Sequence, residues 1–415
     1  MNADILSPDD QTGVAEAVRD AYEASRAVYP LGGGTAQDYG VAPTRPGLTL
    51  ELSGVAKIVD YTPRDMTILV EAGVRMVDLA ATLSAEGQHL PIDVPRASEA
   101  TLGGVVATNW SGPRRYGHGT IRDYVIGIHA VDGRGVPFKG GGRVVKNVAG
   151  YDFCKLMCGS LGTLGVITRL ALKVTPQPEQ SAAIIGMCGD LAAAELILSR
   201  LIHLPAPPVA IDLLVGSAWD LGSIIRNPQS EIRNPSVALV VRVEGTEPEV
   251  AWLAEQVQYE LWSGGGSAVS RLEPRDAEAL WTRQIEFADR GAGEAADNSP
   301  LVVKIAVPSS AVAQMIAELV AFDPDCAIAA QAGNGIIFAR FSQFGHADLT
   351  NVLVGKLRPA AVQLGGSLVI VSSRLEGLTP HLIWGGRTEA TVLAERIKQQ
   401  FDPRNILNPG RFVYD

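Results

Sequence analysis

The stretches with the greatest chemical consequence in this chain are glycine-dense turns attached to apolar strands. One is Gly159-Ser160-Leu161-Gly162-Thr163-Leu164-Gly165-Val166-Ile167-Thr168; another, far upstream, is Pro30-Leu31-Gly32-Gly33-Gly34-Thr35. Glycine at that density lets the backbone take positive φ and approach a ligand closely. Bare N–H groups lining such turns make an anion-binding concavity. Neither turn is a Walker sequence, because no Gly-Lys-Ser/Thr follows, and neither is Gly-x-Gly-x-x-Gly at the front of a βαβ unit.

A third region runs from Pro95 to Gly119. Small residues dominate it where bulky apolar ones are expected. Thr101, Gly103, Gly104, Ala107 and Asn109 would let a short helix start abut a flat or charged ligand, with hydroxyl and amide groups as donors. A tight turn packed on a sheet is the alternative, and it is the better reading of the glycine pair alone. Beside two further glycine loops, the ligand reading is preferred.

The other titratable groups are dispersed. His203 and His346 fall at helix ends, where capping or solvation explains them, and His381 follows Pro380 near Trp384. Lys304, Arg340 and Arg374 fall on expected strands, where they could clamp a carboxylate or be plain surface charge. The four cysteines, Cys154, Cys158, Cys188 and Cys326, are too few and scattered for a disulfide framework and form no iron–sulfur run.

The elements that position these groups follow from the bulk numbers and the chain order. With 415 residues, two domains or one domain with a large insertion is expected. A formal charge of -10 argues against a nucleic-acid or anionic-membrane partner. Residues 1–10 are polar and acidic with no secretory signal, and no stretch has the ~18 apolar residues of a membrane span, so a cytoplasmic protein is expected.

Ser7-Pro8-Asp9-Asp10 reads as a helix start capped by serine. Alternating small β and α pieces follow: strands over 48–52, 58–61 and 67–71, a helix over 76–85, a hairpin from Val125 to Phe138, and a strand from Val166 to Val174 that stops at Pro176. From about Ser181 the texture changes to strands over 182–187, 209–214, 237–243, 301–307, 336–341 and 367–371. Helices are expected over 191–202, 248–261, 309–320 (capped by Ser309) and 346–364. Two βαββαβ-like halves imply an antiparallel sheet backed by helices. The repeated Ile225-Arg226-Asn227-Pro228 and Ile232-Arg233-Asn234-Pro235 reads as an inserted surface loop, and a helix over 391–400 precedes a proline-rich turn that returns to the first domain.

Taken in order, several motifs resemble the flavoproteins of the vanillyl-alcohol oxidase type, the PCMH-type FAD-binding family. They are Gly32-Gly33-Gly34-Thr35, Thr101-Leu102-Gly103-Gly104, Ser111-Gly112-Pro113-Arg114-Arg115, Lys146-Asn147-Val148-Ala149-Gly150-Tyr151-Asp152, residues 159–168 and Asn408-Pro409-Gly410-Arg411. Within that family the resemblance is to the branch of FAD-binding E subunits of bacterial glycolate oxidase. It implies an α+β protein: an FAD-binding domain of two α+β subdomains over 1–178, a cap of ferredoxin-like halves over 179–388, and a tail over 389–415 returning to the first domain.

The resemblance further implies noncovalent FAD. Its pyrophosphate would lie near Gly32 to Thr35 and Thr101 to Gly104, with Pro30, Leu31 and Pro95 also against the cofactor. Ala107, Asn109, Ser111 and Gly112 would stand alongside, with Gly162, Thr163, Gly165, Val166 and Ile167 against the flavin or the adenine. Lys146, Arg114 and Arg115 could help neutralise the phosphates. Some relatives attach FAD to a histidine or cysteine near the first loop, where this chain has neither; His118 is the nearest candidate.

One departure bears on activity. Related 2-hydroxy-acid dehydrogenases carry His-x-Gly-Asp-Gly-Asn-x-His and a later Glu-His-Gly, for metal ligands and a base. The counterpart here, Gln331-Ala332-Gly333-Asn334-Gly335-Ile336-Ile337, lacks both histidines, as does the region around Ser372-Ser373-Arg374-Leu375-Glu376-Gly377. No metal site and no catalytic base can be assigned. A missing base costs roughly 10²–10⁴ in rate. The expectation is an FAD-binding subunit of a glycolate (2-hydroxy-acid) oxidase complex, partnered by a second FAD-binding subunit and an iron–sulfur subunit. A stand-alone FAD-dependent hydroxy-acid or alcohol oxidoreductase and a flavin-free structural subunit are the alternatives.

Overall fold

The computed structural model describes residues 4–43, 45–142, 150–219, 221, 237–289 and 300–413. It divides into two compact units. The first takes the residues up to Ser111, Gly119–Gln177 and those from Thr379 onward; the second takes Gly112–His118 and Pro178–Leu378.

The first unit is built from two small α+β subdomains. One has a parallel three-stranded sheet, Asp4–Leu6, Gly47–Glu51 and Ala27–Leu31, with Gly47–Glu51 in the middle. Its core joins Val14 and Val18 of the helix Gln11–Glu23 to Val28, Leu50, Ile406 and Leu407. The helix begins one turn later than the sequence suggests. Asp10 caps it, accepting from the Gly13 N–H at 2.8 Å, whereas the Ser7 hydroxyl donates to Glu51.

The other subdomain is an antiparallel sheet in the order Ile58–Thr62, Thr67–Glu71, Val166–Lys173, Val125–Val131, Pro137–Gly141. The central strand, Val166–Lys173, is the most buried, with six of its eight residues inside. The strand Ala27–Leu31 runs directly into the first glycine loop, and the third glycine turn runs directly into Val166–Lys173. Sheet ends therefore fix where both loops lie.

The second unit holds one eight-stranded, wholly antiparallel sheet. Its order is Ser267–Arg271, Gln180–Cys188, Val237–Gly245, Ala210–Val215, Ala327–Gln331, Ile336–Arg340, Leu301–Ala306, Ser367–Ser373. Each half has strand order 4-1-3-2 and connectivity βαββαβ, and the halves join where Leu213–Val215 pairs with 328–330. These are the two ferredoxin-like halves of an α+β fold.

Local readings fail where a rule of thumb met a competing geometry. Ser309 opens a 3₁₀ turn and caps nothing; the helix Val312–Phe322 starts after it. The segment 346–364 is not one α-helix: Leu349–Leu357 winds as a wider π-helix before Arg358–Gln363. Pro359, without an N–H, cannot close a normal turn there. The strand Ala327–Gln331 went unforeseen because alanine carries little strand signal. The paired Ile-Arg-Asn-Pro repeats lie outside the described residues. Among the described residues no helix is long and apolar enough to cross a membrane.

Candidate functional site

Within the first unit, residues of all three glycine stretches line one cavity of about 540 Å³. That is in the ~300–1,000 Å³ range of small-molecule and cofactor sites. Pro30, Leu31, Gly32, Gly33, Gly34 and Thr35 form one wall. Thr101, Gly103, Gly104 and Ala107 form another; Gly162, Gly165, Val166 and Ile167 form a third.

The glycines fall into two classes. A Cβ on Gly33 would sit 1.8 Å from the Glu99 carbonyl oxygen, and one on Gly103 would sit 2.8 Å from the Ala72 Cβ. These two let one stretch of chain press against another. A Cβ on Gly104 would meet only Thr101 Oγ1, at 3.3 Å, and one on Gly34 only Leu31 Cδ1, at 3.8 Å. These two keep open space bare.

The N–H groups of Gly32, Gly33, Gly34, Thr35, Gly104 and Gly162 donate to no acceptor among the described residues. Gly104 is exposed, but Gly32 to Thr35 are half-buried and Gly162 is buried, and leaving such donors unpaired costs free energy unless something accepts from them. The cavity lining contains no carboxylate and two arginines, Arg45 and Arg411. Burial pushes the Arg411 guanidinium down to about 10, still charged at neutral pH. A neighbouring cavity shares Gly32, Gly33 and Thr101 but is lined by Glu51, Asp78 and Glu99, which would repel phosphate. The first cavity thus offers a diphosphate main-chain donors from three directions, and offers a flat ring the apolar sides of Leu31, Leu52, Leu161, Val166 and Ile167. Its residues fit a dinucleotide-sized cofactor carrying both features.

The late part of the chain braces these loops. Asn408 Nδ2 donates to the Leu161 carbonyl at 2.7 Å, next to Gly162, whose φ of +67° suits glycine. The Arg411 guanidinium donates to the carbonyls of Ala36 and Gln37 at 2.9 and 2.8 Å. On the helix Glu389–Phe401, Lys398 Nζ donates to the Thr163 and Leu407 carbonyls, each at 2.9 Å, and pairs with Asp402 at 2.6 Å. Both side chains of that pair are buried.

Not every expected residue lines the cavity. Pro95 and Leu102 are buried nearby, and Thr163 is buried with its carbonyl taken by Lys398. Asn109 and Ser111 stand off the lining, with buried, unpartnered Oδ1 and Oγ atoms. Gly112 and Arg114 belong to the second unit. There Arg114 Nε lies 3.0 Å from Glu244, a different task from neutralising phosphate. Arg242 Nε lies 3.1 Å from the same carboxylate, and His118 Nε2 is 3.5 Å away. Burial acts to raise the Glu244 pKa, but His118 and the two guanidiniums outweigh it and bring it to about 2. Lys146 lies outside the described residues. His203, His346 and His381 are all exposed.

Tyr29, Arg45, Leu52, Ala72, Leu161, Asn408 and Arg411 also line the cavity without having been singled out as site residues. Asn408 and Arg411 had a signal, the Asn-Pro-Gly-Arg turn. Leu161 lay inside the third glycine stretch; Tyr29, Arg45, Leu52 and Ala72 are ordinary apolar or loop residues and carried none.

The chain matches the FAD binding domain family over residues 3–140, and the family described as FAD linked oxidases, C-terminal domain, over 177–369 and 386–412. It is 25% identical to glycolate oxidase subunit GlcD of Bacillus subtilis, over 92% of this chain and 83% of that protein. It is 42% identical to glycolate oxidase subunit GlcE of Escherichia coli, over 33% of this chain and 40% of that protein. Alkyldihydroxyacetonephosphate synthase shares the fold, with a TM-score of 0.69 and 17% identity over 98% of this chain and 76% of that one. The chain therefore belongs to the FAD-linked oxidases of the PCMH type, an oxidoreductase family whose cofactor is FAD.

Proposed function

We propose that this protein is the FAD-binding subunit of a 2-hydroxy-acid oxidase or dehydrogenase complex, with glycolate as the first substrate to test. The enzyme is an FAD-dependent oxidoreductase acting on CH–OH donors. The cofactor is held noncovalently in the cavity walled by the three glycine stretches. The observation that carries this reading is the set of main-chain N–H groups on Gly32 to Thr35, Gly104 and Gly162, unpaired among the described residues, whose residues all line one carboxylate-free cavity.

When bound, FAD would supply a hydride acceptor for the carbon that bears the hydroxyl. The protein's own part is positional. The N–H array holds the diphosphate oxygens, whose negative charge strengthens each such bond. The apolar walls keep water from the ring, and Asn408 and Lys398 hold the third turn in place.

The proton of the substrate hydroxyl needs an acceptor. Gln331 and Phe338 stand where the related motif has histidines, and neither side chain can take a proton at neutral pH. This favours a role inside a complex over a self-sufficient enzyme. A sister flavoprotein would complete the oxidation, and an iron–sulfur subunit would carry electrons away. The names of the two relatives, both glycolate oxidase subunits, support the same reading.

The test begins with the isolated chain. It should purify yellow and release its flavin in acid. Anaerobic addition of glycolate or D-lactate should bleach it poorly alone and well with its co-purified partners. Full bleaching of the isolated chain would move the reading to a stand-alone oxidoreductase; a colourless chain that takes up no FAD would overturn it.

A further inference from the structure

In the second unit, the helix Glu247–Ser263 has two faces of unexpected character. On one, Val250, Leu253, Ala254, Val257 and Leu261 recur at helical spacing and are buried against the sheet. The opposite face should be polar. It carries Trp252, Tyr259 and Trp262, which are 45, 59 and 69% exposed. At 3.6 residues per turn the three lie within about 80° of one another, on the side away from the buried stripe. Their side chains make no hydrogen bond, ring contact or cation–π contact with any described residue.

The helix Leu191–Ile202 lies alongside. Its Arg200 Nη1 is 3.1 Å from the Ser263 hydroxyl and 3.6 Å from Glu260, and one turn before Arg200 it exposes Leu196 to 52%. A single apolar residue on a surface needs no explanation, but a stripe of large rings does. Tryptophan and tyrosine add nothing to helix propensity here. They are the residues on which interface energy concentrates, because each covers a large rigid area at little cost in side-chain freedom.

Charge selects the occupant. The helix carries Glu247, Glu249, Glu255 and Glu260 and no lysine or arginine. Glu249 is used in the cap with Thr246, and Glu260 faces Arg200. Glu255, one turn from each of Trp252 and Tyr259, pairs with no described residue. Two copies of this face set against each other would bring like charges together, and an anionic bilayer would repel it. The complementary surface is apolar in the middle and basic at its rim.

We propose that this face docks a protein partner that presents an apolar surface rimmed by lysine or arginine, with Trp252, Tyr259 and Trp262 as anchors and Glu255 as the charge that sets orientation. That the partner is another subunit of an oxidoreductase complex rests on the functional reading above; the docking face itself does not.

The experiment uses the full-length holoprotein, alone and in the complex that co-purifies with it. Hydroxyl-radical footprinting with peptide mass mapping should find the three rings readily oxidised in the isolated chain and protected in the complex. A water-soluble carbodiimide should join Glu255 or Glu260 to a partner lysine as an amide, the reagent taking up the lost water as its urea. Replacing the anchors together (Trp252→Ser, Tyr259→Ser and Trp262→Ser) should weaken partner retention ~30-fold or more. The melting temperature should hold, because the buried face is untouched. Glu255→Lys should also weaken retention, as should high salt with the unmodified chain. Cross-links between two copies of this chain, or adsorption to phosphatidylcholine vesicles that protects the same rings, overturn the protein partner. Rings already protected in the isolated chain, rings still oxidised in the complex, or a folded triple variant that keeps its partners overturn the docking face. So does a chain that purifies with no partner. The two readings fail separately. Partners held through these rings, with no hydroxy acid reducing the flavin, remove the proposed activity and keep the face. An active complex that is indifferent to the triple variant removes the face and keeps the activity.

Discussion

Gly104→Ala and Gly33→Ala add the same methyl group to two glycines of one cavity and should have opposite effects. On the helix Leu102–Thr108, the Gly104 Cβ would meet only Thr101 Oγ1, at 3.3 Å, so the apoprotein has room for it. Alanine is favoured over glycine in a helix interior by ~1 kcal/mol, so Gly104→Ala should leave the melting temperature of the flavin-free protein equal or slightly raised. Gly104 lines the cavity, so the methyl would take space that a phosphate oxygen bound at the unpaired Gly104 N–H would need. Losing one hydrogen bond to a charged group costs ~1.5–3 kcal/mol, which weakens FAD binding ~10–150-fold. At Gly33 the new Cβ would lie 1.8 Å from the Glu99 carbonyl oxygen and 2.6 Å from its carbon, both backbone atoms. Such overpacking costs ~1–3 kcal/mol or more, so Gly33→Ala should lose stability before it reports on FAD. The assays are calorimetric melting of apoprotein and titration with FAD by flavin fluorescence quenching. FAD affinity in a well-folded Gly104→Ala within ~3-fold of the unmodified protein, well short of a lost hydrogen bond, would refute main-chain recognition at this wall.

Lys398→Met leaves Asp402 buried without its cation, although the carboxylate keeps the N–H groups of Ile406 and Leu407 at 3.0 and 2.7 Å. Breaking a buried pair costs ~3–5 kcal/mol, and the lower end applies here. At ~2–4 °C per kcal/mol for a unit of this size, calorimetry should show a fall of ~6–12 °C, and a fall below ~2 °C would contradict the buried pair. The Glu244 carboxyl sits far below its unfolded value, so the stability it contributes is whole above about pH 4.5 and drains as pH falls toward about 2. Glu244→Gln should flatten that part of an acid-unfolding curve, and an unchanged slope would count against the cluster with Arg114 and Arg242.

Much of this architecture could be read from the chain alone. The helix Leu191–Ile202 and the strands around it follow from apolar periodicity, and the structure adds an aspartate cap at Asp190. The ferredoxin-like halves follow from the repeated order of elements. The glycine stretches were legible because few other needs call for that many small residues beside strands. What stayed hidden was the division of labour among them. Gly33 and Gly103 serve chain packing while Gly104 faces open space, and that depends on what lies across from each. Arg114 looked like a phosphate ligand beside a glycine motif; only the fold brings Glu244, 130 positions away in sequence, to its guanidinium. The π-helix at Leu349–Leu357 was hidden because its residues are good α-formers and the cause, Pro359, lies beyond it.

The brace formed by Lys398, Asn408 and Arg411 also sets an order of events during biosynthesis. Arg411 grips Ala36, and Asn408 grips Leu161, 375 and 247 positions away in sequence. A ribosome that has released the glycine loops must still make the entire second unit before these grips can form. Flavin can therefore be captured in its finished pocket only after residue 411 has emerged. Nascent chains stalled anywhere earlier should be cofactor-free, however well their first strands have folded.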